Sequence, residues 1–307
     1  MRRIWALVVT LVLSAGCSDH QQVRDAGTDA ATETEFPYLV LDAAQLDARL
    51  GLLHAIDRIV STEAVLPGSR LRIFGAVDTS FTSPRLWLLS TSTESGFFRA
   101  KGFENPEWQP IPVEQGRAFI KTGSIGATVR WQTGDDPGSE IITAGALMLE
   151  PATLIDVVLG MQKSESGWLP QILPEGFVEL YNGPDDRHGS PGDHVIHQIW
   201  ADIDLPRIGE ITLNLIDGRP DETERHLLSL LTYSSSSVEG VSATEVRGKP
   251  AIKVVGDTSV IYQWMETSTV TAQLIVSNPI DPTAALEALQ EIDQTTWETT
   301  LQEAPSP

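Results

Sequence analysis

Residues 185 to 197 read DDRHGSPGDHVIH and gather three aspartates with three of the six histidines in the chain. These side chains bind first-row metals and move protons near neutral pH. His194 and His197 would share a face on a helix. The run HVIHQIW has strand character, however, and on a strand residues three apart point to opposite sides. A zinc centre needs three or four converging ligands, and no second His or Cys cluster completes this one. The segment reads as a polar loop leading into a strand, with no metal expected. Two Asp-Thr-Ser triplets, Asp78 to Ser80 and Asp257 to Ser259, raise a second chemistry, because two aspartates from two halves can share one proton. Neither triplet is followed by a small-residue turn, and the two fall at non-equivalent places, so they read as turn aspartates. A G-x-S-x-G elbow, a glycine-rich phosphate loop and a dinucleotide fingerprint are absent. The sequence names no catalytic residue and no cofactor.

The one cysteine of the 307-residue chain, Cys17, is a different kind of chemical site. Arg2 and Arg3 form a short basic region. IWALVVTLVL, residues 4 to 13, is uncharged and mostly apolar. Ser14, Ala15 and Gly16 are small, and Cys17 follows. This is the layout of a secretory signal. Its apolar part ends at Gly16 and is too short for the roughly 20 residues of a spanning helix. The segment resembles the signal of bacterial lipoproteins, whose lipobox ends in a small residue and then cysteine. The resemblance implies cleavage between Gly16 and Cys17 and diacylation of the Cys17 sulfur, which anchors the protein to a membrane of the cell envelope. Leu13 stands four places before Cys17, with Ser14 where the commonest pattern has leucine. Two acyl chains hold a protein stably where one does not, at about 0.8 kcal/mol per buried methylene.

SDHQQVRDAGTDAATETE, residues 18 to 35, has Val23 as its only large apolar residue. It cannot bury enough surface to repay ordering, so residues 17–36 are expected to be an acidic tether after a signal peptide at 1–16. Losing Arg2 and Arg3 with the signal takes the formal net charge from −21 to −23. Such a chain is repelled by nucleic-acid phosphates and anionic head groups, so no nucleic-acid partner is expected. Apolar residues at 41% and charged residues at 21% describe a globular body.

The body carries a weak repeat. GRAFIKTGSIGATVRWQT (116 to 133) parallels GKPAIKVVGDTSVIYQWMET (248 to 267). GALMLEPATLIDVVLGM (145 to 161) parallels QLIVSNPIDPTAALEALQEI (273 to 292), each a strand followed by a Pro-started helix. VLPGSRLRIFG (65 to 75) parallels ILPEGFVELYNG (172 to 183). Alternating runs at 85–91, 118–123, 127–133, 141–148, 194–203, 210–217, 242–246, 251–256, 260–266 and 271–276 read as antiparallel strands. Leu46, Leu50, Leu53, Ile56 and Val60 fall at spacings of three and four, which predicts a helix over 41–61. Residues 220–232 read as a second helix with acids at its start. The expected fold is α+β: two tandem, repeated modules, 37–167 and 168–300, each an antiparallel sheet with a packed helix, and a disordered tail at 301–307. Trp87, Trp131, Trp200 and Trp264 lie inside strand patterns, where core packing is the usual role and a ligand-stacking platform the alternative. The functional expectation is a lipid-anchored envelope protein that binds a protein, glycan or lipid. The alternatives are a structural or regulatory envelope protein and an enzyme with a dispersed site.

Overall fold

The structure is a computed structural model that describes residues 36–46, 50–60, 70–76, 83–91, 101–136, 139–165, 167–184, 192–202, 209–218 and 237–304. Cys17, Asp78 to Ser80, residues 185–191 and the helix expected at 220–232 lie outside the described residues. Chain contacts separate Met1–Glu35 from Phe36–Pro307, and the fold below is that of the second unit.

Strand outweighs helix, 58% to 15%, and this overturns the expected α+β class in favour of a β-rich fold. One seven-stranded antiparallel sheet contains, in order, β5 (Gln109–Ile111), β6 (Arg117–Thr122), β7 (Gly126–Gln132), β8 (Ile141–Leu147), β4 (Arg85–Thr91), β3 (Arg70–Ala76) and β11 (Phe177–Pro184). The other contains β14 (Val238–Val246), β15 (Lys249–Gly256), β16 (Ser259–Met265), β17 (Val270–Ser277), β13 (Glu210–Asp217), β12 (His194–Asp202) and β2 (Leu50–Ile59). Two strand pairs accompany them. β9 (Met161–Ser164) pairs with β10 (Gly167–Pro170), and β1 (Tyr38–Leu41) pairs with β18 (Leu289–Ile292). The helices are short: α1 (Ala43–Leu46), α2 (Pro151–Leu159), α3 (Pro282–Glu287) and α4 (Gln294–Glu303).

One helix expectation fails for a physical reason. The predicted helix at 41–61 is a single turn, α1, followed by the ten-residue strand β2. β2 carries a bulge: its register against β12 shifts between His54 and Leu52. The extra residue breaks the period-two alternation, so Leu50, Leu52 and Ala55 all reach the same core, while Leu53 and Ile56, which completed the helical spacing in the sequence, do not. The short Pro-started helix expected late in 273–292 is α3, six residues long, and the chain after it becomes β18, which pairs with β1. Conversely, α4 reaches Glu303, inside the segment expected as a tail. Asp293 caps it by accepting from the Thr296 N–H at 2.8 Å, and Trp297 and Leu301, four apart, face the core.

The repeat is visible in the strand order. β6-β7-β8-α2-β9 and β15-β16-β17-α3-β18 follow the same course, and Gly116 and Gly248 enter the matching strands β6 and β15 at φ +72° and +75°. The third pair of similar segments behaves differently. β3 and β11, from the two Leu-Pro segments, are hydrogen-bonded neighbours in one sheet. Sheet membership also ignores a division at residues 167 and 168, because β11 joins the first sheet and β2 the second.

Each sheet has a large apolar core on one face. Leu86, Ala118, Ile120, Trp131, Ile142 and Ala144 meet Leu154, Val157 and Val158 of α2. Ile196, Leu213, Leu215, Trp264, Ala272 and Leu274 meet Leu39 of β1, Ala285 of α3 and Trp297 of α4. On the opposite face of the first sheet the Trp87 ring lies flat over Gly145, its partner across the β4–β8 pair. A Cβ at Gly145 would fall 2.2 Å from Trp87 Cε2. Gly145→Ala is therefore expected to lower unfolding free energy by about 1–3 kcal/mol through overpacking. Adding Trp87→Leu should recover part of that loss, as read in paired denaturant titrations.

Candidate functional site

The histidines of β12 do face opposite sides. His194 is on the helix-covered face, where its Nε2 lies 2.6 Å from Asp57 Oδ1 of β2. The other Asp57 oxygen accepts from the Trp297 indole N–H at 2.6 Å, and the Phe36 ring sits 4.5 Å from the imidazole. One carboxylate thus ties β2, β12 and α4 together. His197 is on the other face, with Nδ1 2.5 Å from Asn214 Oδ1. Asn214 spends its amide N–H on Gln273 Oε1 at 2.9 Å, so His197 Nδ1 is the donor. The row continues to Gln263, 1% exposed, whose amide nitrogen and oxygen have no hydrogen-bond partner. A buried water or a ligand amide would find both a donor and an acceptor there. Among the described residues no group of three or more His, Cys, Asp and Glu side chains is placed to hold a metal.

The four strand tryptophans are core residues, between 1% and 8% exposed. Three of them spend their indole N–H internally: Trp131 on the Gln115 carbonyl, Trp200 on Gln198 Oε1 and Trp264 on Glu266 Oε2. Their faces do not form a stacking platform. Of the Asp-Thr-Ser triplets, the described one lies in the β15–β16 turn, with Asp257 and Thr258 both exposed.

Sequence reading missed two carboxylates at matching hairpins, half-buried Glu140 and buried Glu266. Glu140 enters β8. It accepts from Ser90 Oγ, from Trp168 Nε1 at 2.8 Å and from Lys163 Nζ at 3.1 Å. Glu266 leaves β16. It accepts from Lys249 Nζ and Trp264 Nε1, each at 2.5 Å, with Arg247 Nε at 3.4 Å. Arg247 in turn reaches Glu291 of β18 at 2.9 Å. Burial pushes both carboxyl pKa values up. For Glu140 the hydrogen bonds from Ser90, Trp168 and Lys163 outweigh it. For Glu266 the bonds from Lys249 and Trp264, with the charge of Arg247, do the same, and both pKa values end below the ordinary range. Every oxygen of these groups serves a structural bond, so they are braces rather than free acids or bases. The readable signal was Trp264 two residues before Glu266; Trp168 stands 28 residues beyond Glu140 and gave none.

The remaining candidate is a cleft of about 510 Å³, within the size range of small-molecule sites. Gly123 and Ser124 of the β6–β7 turn and Gly126 at the start of β7 form one wall. Met148, Glu150 and Thr153, from the end of β8 and the first turn of α2, form the other. The turn is closed by Gly123 N–H donating to the Gly126 carbonyl at 2.8 Å. It is fastened to the opposite wall by Met148 N–H donating to the Ile125 carbonyl at 2.6 Å. Met148 takes a left-handed conformation, φ +54°, to do so. Glu150, the residue before α2, makes no capping bond with its side chain. It is the only ionisable group in the lining. The cleft is lined by the hydroxyl residues Ser124 and Thr153 together with apolar Ile125, Leu149 and Pro151, which suits a small polar or amphipathic ligand rather than acid–base chemistry. No family model matches the chain, and no curated protein sequence matches it.

The Glu266 brace has a pH signature. Its folded pKa is depressed, so its contribution is complete above the unfolded value of about 4.3 and is lost as pH falls through the folded pKa. Glu266→Gln is expected to cost roughly 1.5–3 kcal/mol at pH 7, the range for hydrogen bonds to a charged group. In urea titrations across pH the gap to the parent protein should close below about pH 4.

Proposed function

We propose that the chain is a cell-envelope lipoprotein, anchored through a diacylated Cys17, whose β-rich body binds a small ligand or a partner. The observation that carries this reading is the run from Arg2 to Cys17: basic, apolar, small residues, then the lone cysteine. The acidic tether at 18–35 holds the body off the membrane. Glu140, Glu266, the His194–Asp57 pair and the indoles of Trp131, Trp200 and Trp264 are committed to internal bonds. Among the described residues, the cleft between Ser124 and Thr153 is a candidate place for a ligand.

The anchor is tested by fractionating cells that express the full chain. Cys17→Ser should move the protein from the membrane fraction to the soluble exported fraction and abolish the acyl mass on its N-terminal peptide. Persistence in the membrane fraction would remove the anchor from the proposal. The binding role is tested by native mass spectrometry of the detergent-extracted protein. A reproducible extra mass of about a few hundred daltons is expected for a ligand of this cleft's size, and Ser124→Trp, which fills the cleft, should abolish it. An unchanged extra mass in Ser124→Trp would move the seat elsewhere.

A further inference from the structure

The two sheets have the same strand order but obtain their strands from the chain in different ways. In the first, β3 to β11 follow one another without interruption. In the second, β12 to β17 come from residues 194–277, while the strand at the β11 position is β2, from near the start. The accompanying pairs repeat the pattern. β9 pairs with the next strand, β10, whereas β18 pairs with the first strand of the body, β1. The second sheet is therefore the same arrangement with its last two strands moved to the front of the chain.

The cores divide along the same line. All of the large core under the first sheet comes from residues between Phe74 and Phe177. The smaller cluster of Leu71, Ile73 and Trp87, with Leu89 and Tyr181 against it, also lies wholly within 70–184. The core under the second sheet comes from residues Phe36 to Ala55 and Ile196 to Leu301. Val60, Val195 and Ile216 add a satellite. One small cluster mixes the two: Leu147 and Ile125 of the first sheet lean on Val238, Val241, Ile252, Val254 and Ile261 of the second.

The crossing points lie side by side. β2 and β12 are antiparallel partners whose ends meet at Ile59 and His194. Just beyond them, Val60 N–H donates to the Asp193 carbonyl at 2.8 Å and Gly192 N–H to the Val60 carbonyl at 2.9 Å. This is the closing end of a β-hairpin, yet the chain leaves it at 61 and returns at 191. The segment it visits also begins and ends on paired strands, with Arg70 opposite Pro184 and Arg70 Nε donating to Asn182 Oδ1 at 2.7 Å. Adjacent ends and a private core are the two properties that let one domain be inserted into a surface turn of another.

We infer that residues 70–184 form a complete domain inserted into the β2–β12 hairpin of a second, discontinuous domain built from residues 36–60 and 192–304. The inserted domain rests on its host through the Leu147–Val254 cluster. The cleft lined by Ser124 and Met148 flanks that contact, because Ile125 belongs to both.

The test uses the full chain with a specific protease site placed in 61–69 and another in 185–191, cut at both. The circular dichroism of the cut protein should match that of the intact chain. Under rising denaturant, native mass spectrometry should show two folded species. One is the 70–184 piece alone. The other is the piece carrying 36–60 held one-to-one by the piece carrying 192–304. Val254→Asp, at the contact, should lower the denaturant concentration at which the two separate and leave the 70–184 piece unfolding at its former midpoint. The inference is overturned if the 36–60 piece travels with the 70–184 piece. It is equally overturned if all three pieces unfold in one transition with no folded species released.

Discussion

The pairing of β2 along β12 is the constraint on which the second sheet depends. Without β2, β12 would be an open edge, and an open edge presents unpaired N–H and C=O groups. The pairing is reinforced by side chains that cannot be satisfied any other way. Buried Gln198 donates to the Leu39 carbonyl at 2.7 Å, which fixes β1 over the sheet. Asp42 N–H donates to the Ala288 carbonyl at 2.8 Å, which fixes β1 beside the end of α3. Asp57 then joins His194 to Trp297. Main-chain bonds set the register, and these few polar contacts make every other register expensive, because each would strand a buried amide or carboxylate.

The same logic explains the two acidic braces. An antiparallel sheet with one face packed on a core still has to finish its hairpins where the chain turns back toward solvent. At the β7–β8 mouth Glu140 gathers Ser90 of β4, Lys163 of β9 and Trp168 of β10. At the β16–β17 mouth Glu266 gathers Lys249 of β15 and, through Arg247, Glu291 of β18. In both bodies a carboxylate links the central hairpin to the two-stranded pair beside it. The acid stands on opposite sides of the two hairpins, before β8 in one and after β16 in the other, so the matching lies in the geometry rather than in aligned letters.

Strands that alternate cleanly were legible. RLWLLST and EITLNLID coincide with β4 and β13, and the strands from 117 to 147 and 249 to 277 lie within a residue or two of the expected runs. What failed was whatever depended on distant partners. β2 hid behind its bulge. β1, β9, β10 and β18 are four residues each, too short to show a period, and they exist because a partner is present. Even the repeat misleads in detail. The Ile-Lys pairs at 120–121 and 252–253 look equivalent, yet Ile120 joins the core under its sheet while Ile252 faces the opposite side and meets Leu147. The Trp131 and Trp264 partners, Ala118 and Ala251, show why. They lie two residues after Gly116 and three after Gly248, and a one-residue slip turns a strand's side chains over. The site was less legible than the fold. The cleft depends on a left-handed Met148 bringing two turns together, and no residue type in it announces binding.

The insertion also answers how β2 can find β12 across so much chain. Closing a loop costs entropy that grows with the logarithm of its length. If residues 61–191 were unfolded at that moment, the loop would be long. If the inserted domain has already formed, its ends are pinned together at Arg70 and Pro184, and only the two short connections remain to be closed. That shortens the effective loop about eightfold, three doublings, and saves roughly 2 kcal/mol of closure entropy. The contiguous domain has everything it needs to form first, since its core draws on no residue outside Leu71 to Tyr181. The discontinuous domain can then close as a hairpin with a rigid base. The order in which the two sheets complete themselves thus follows from which of them owns an unbroken stretch of chain.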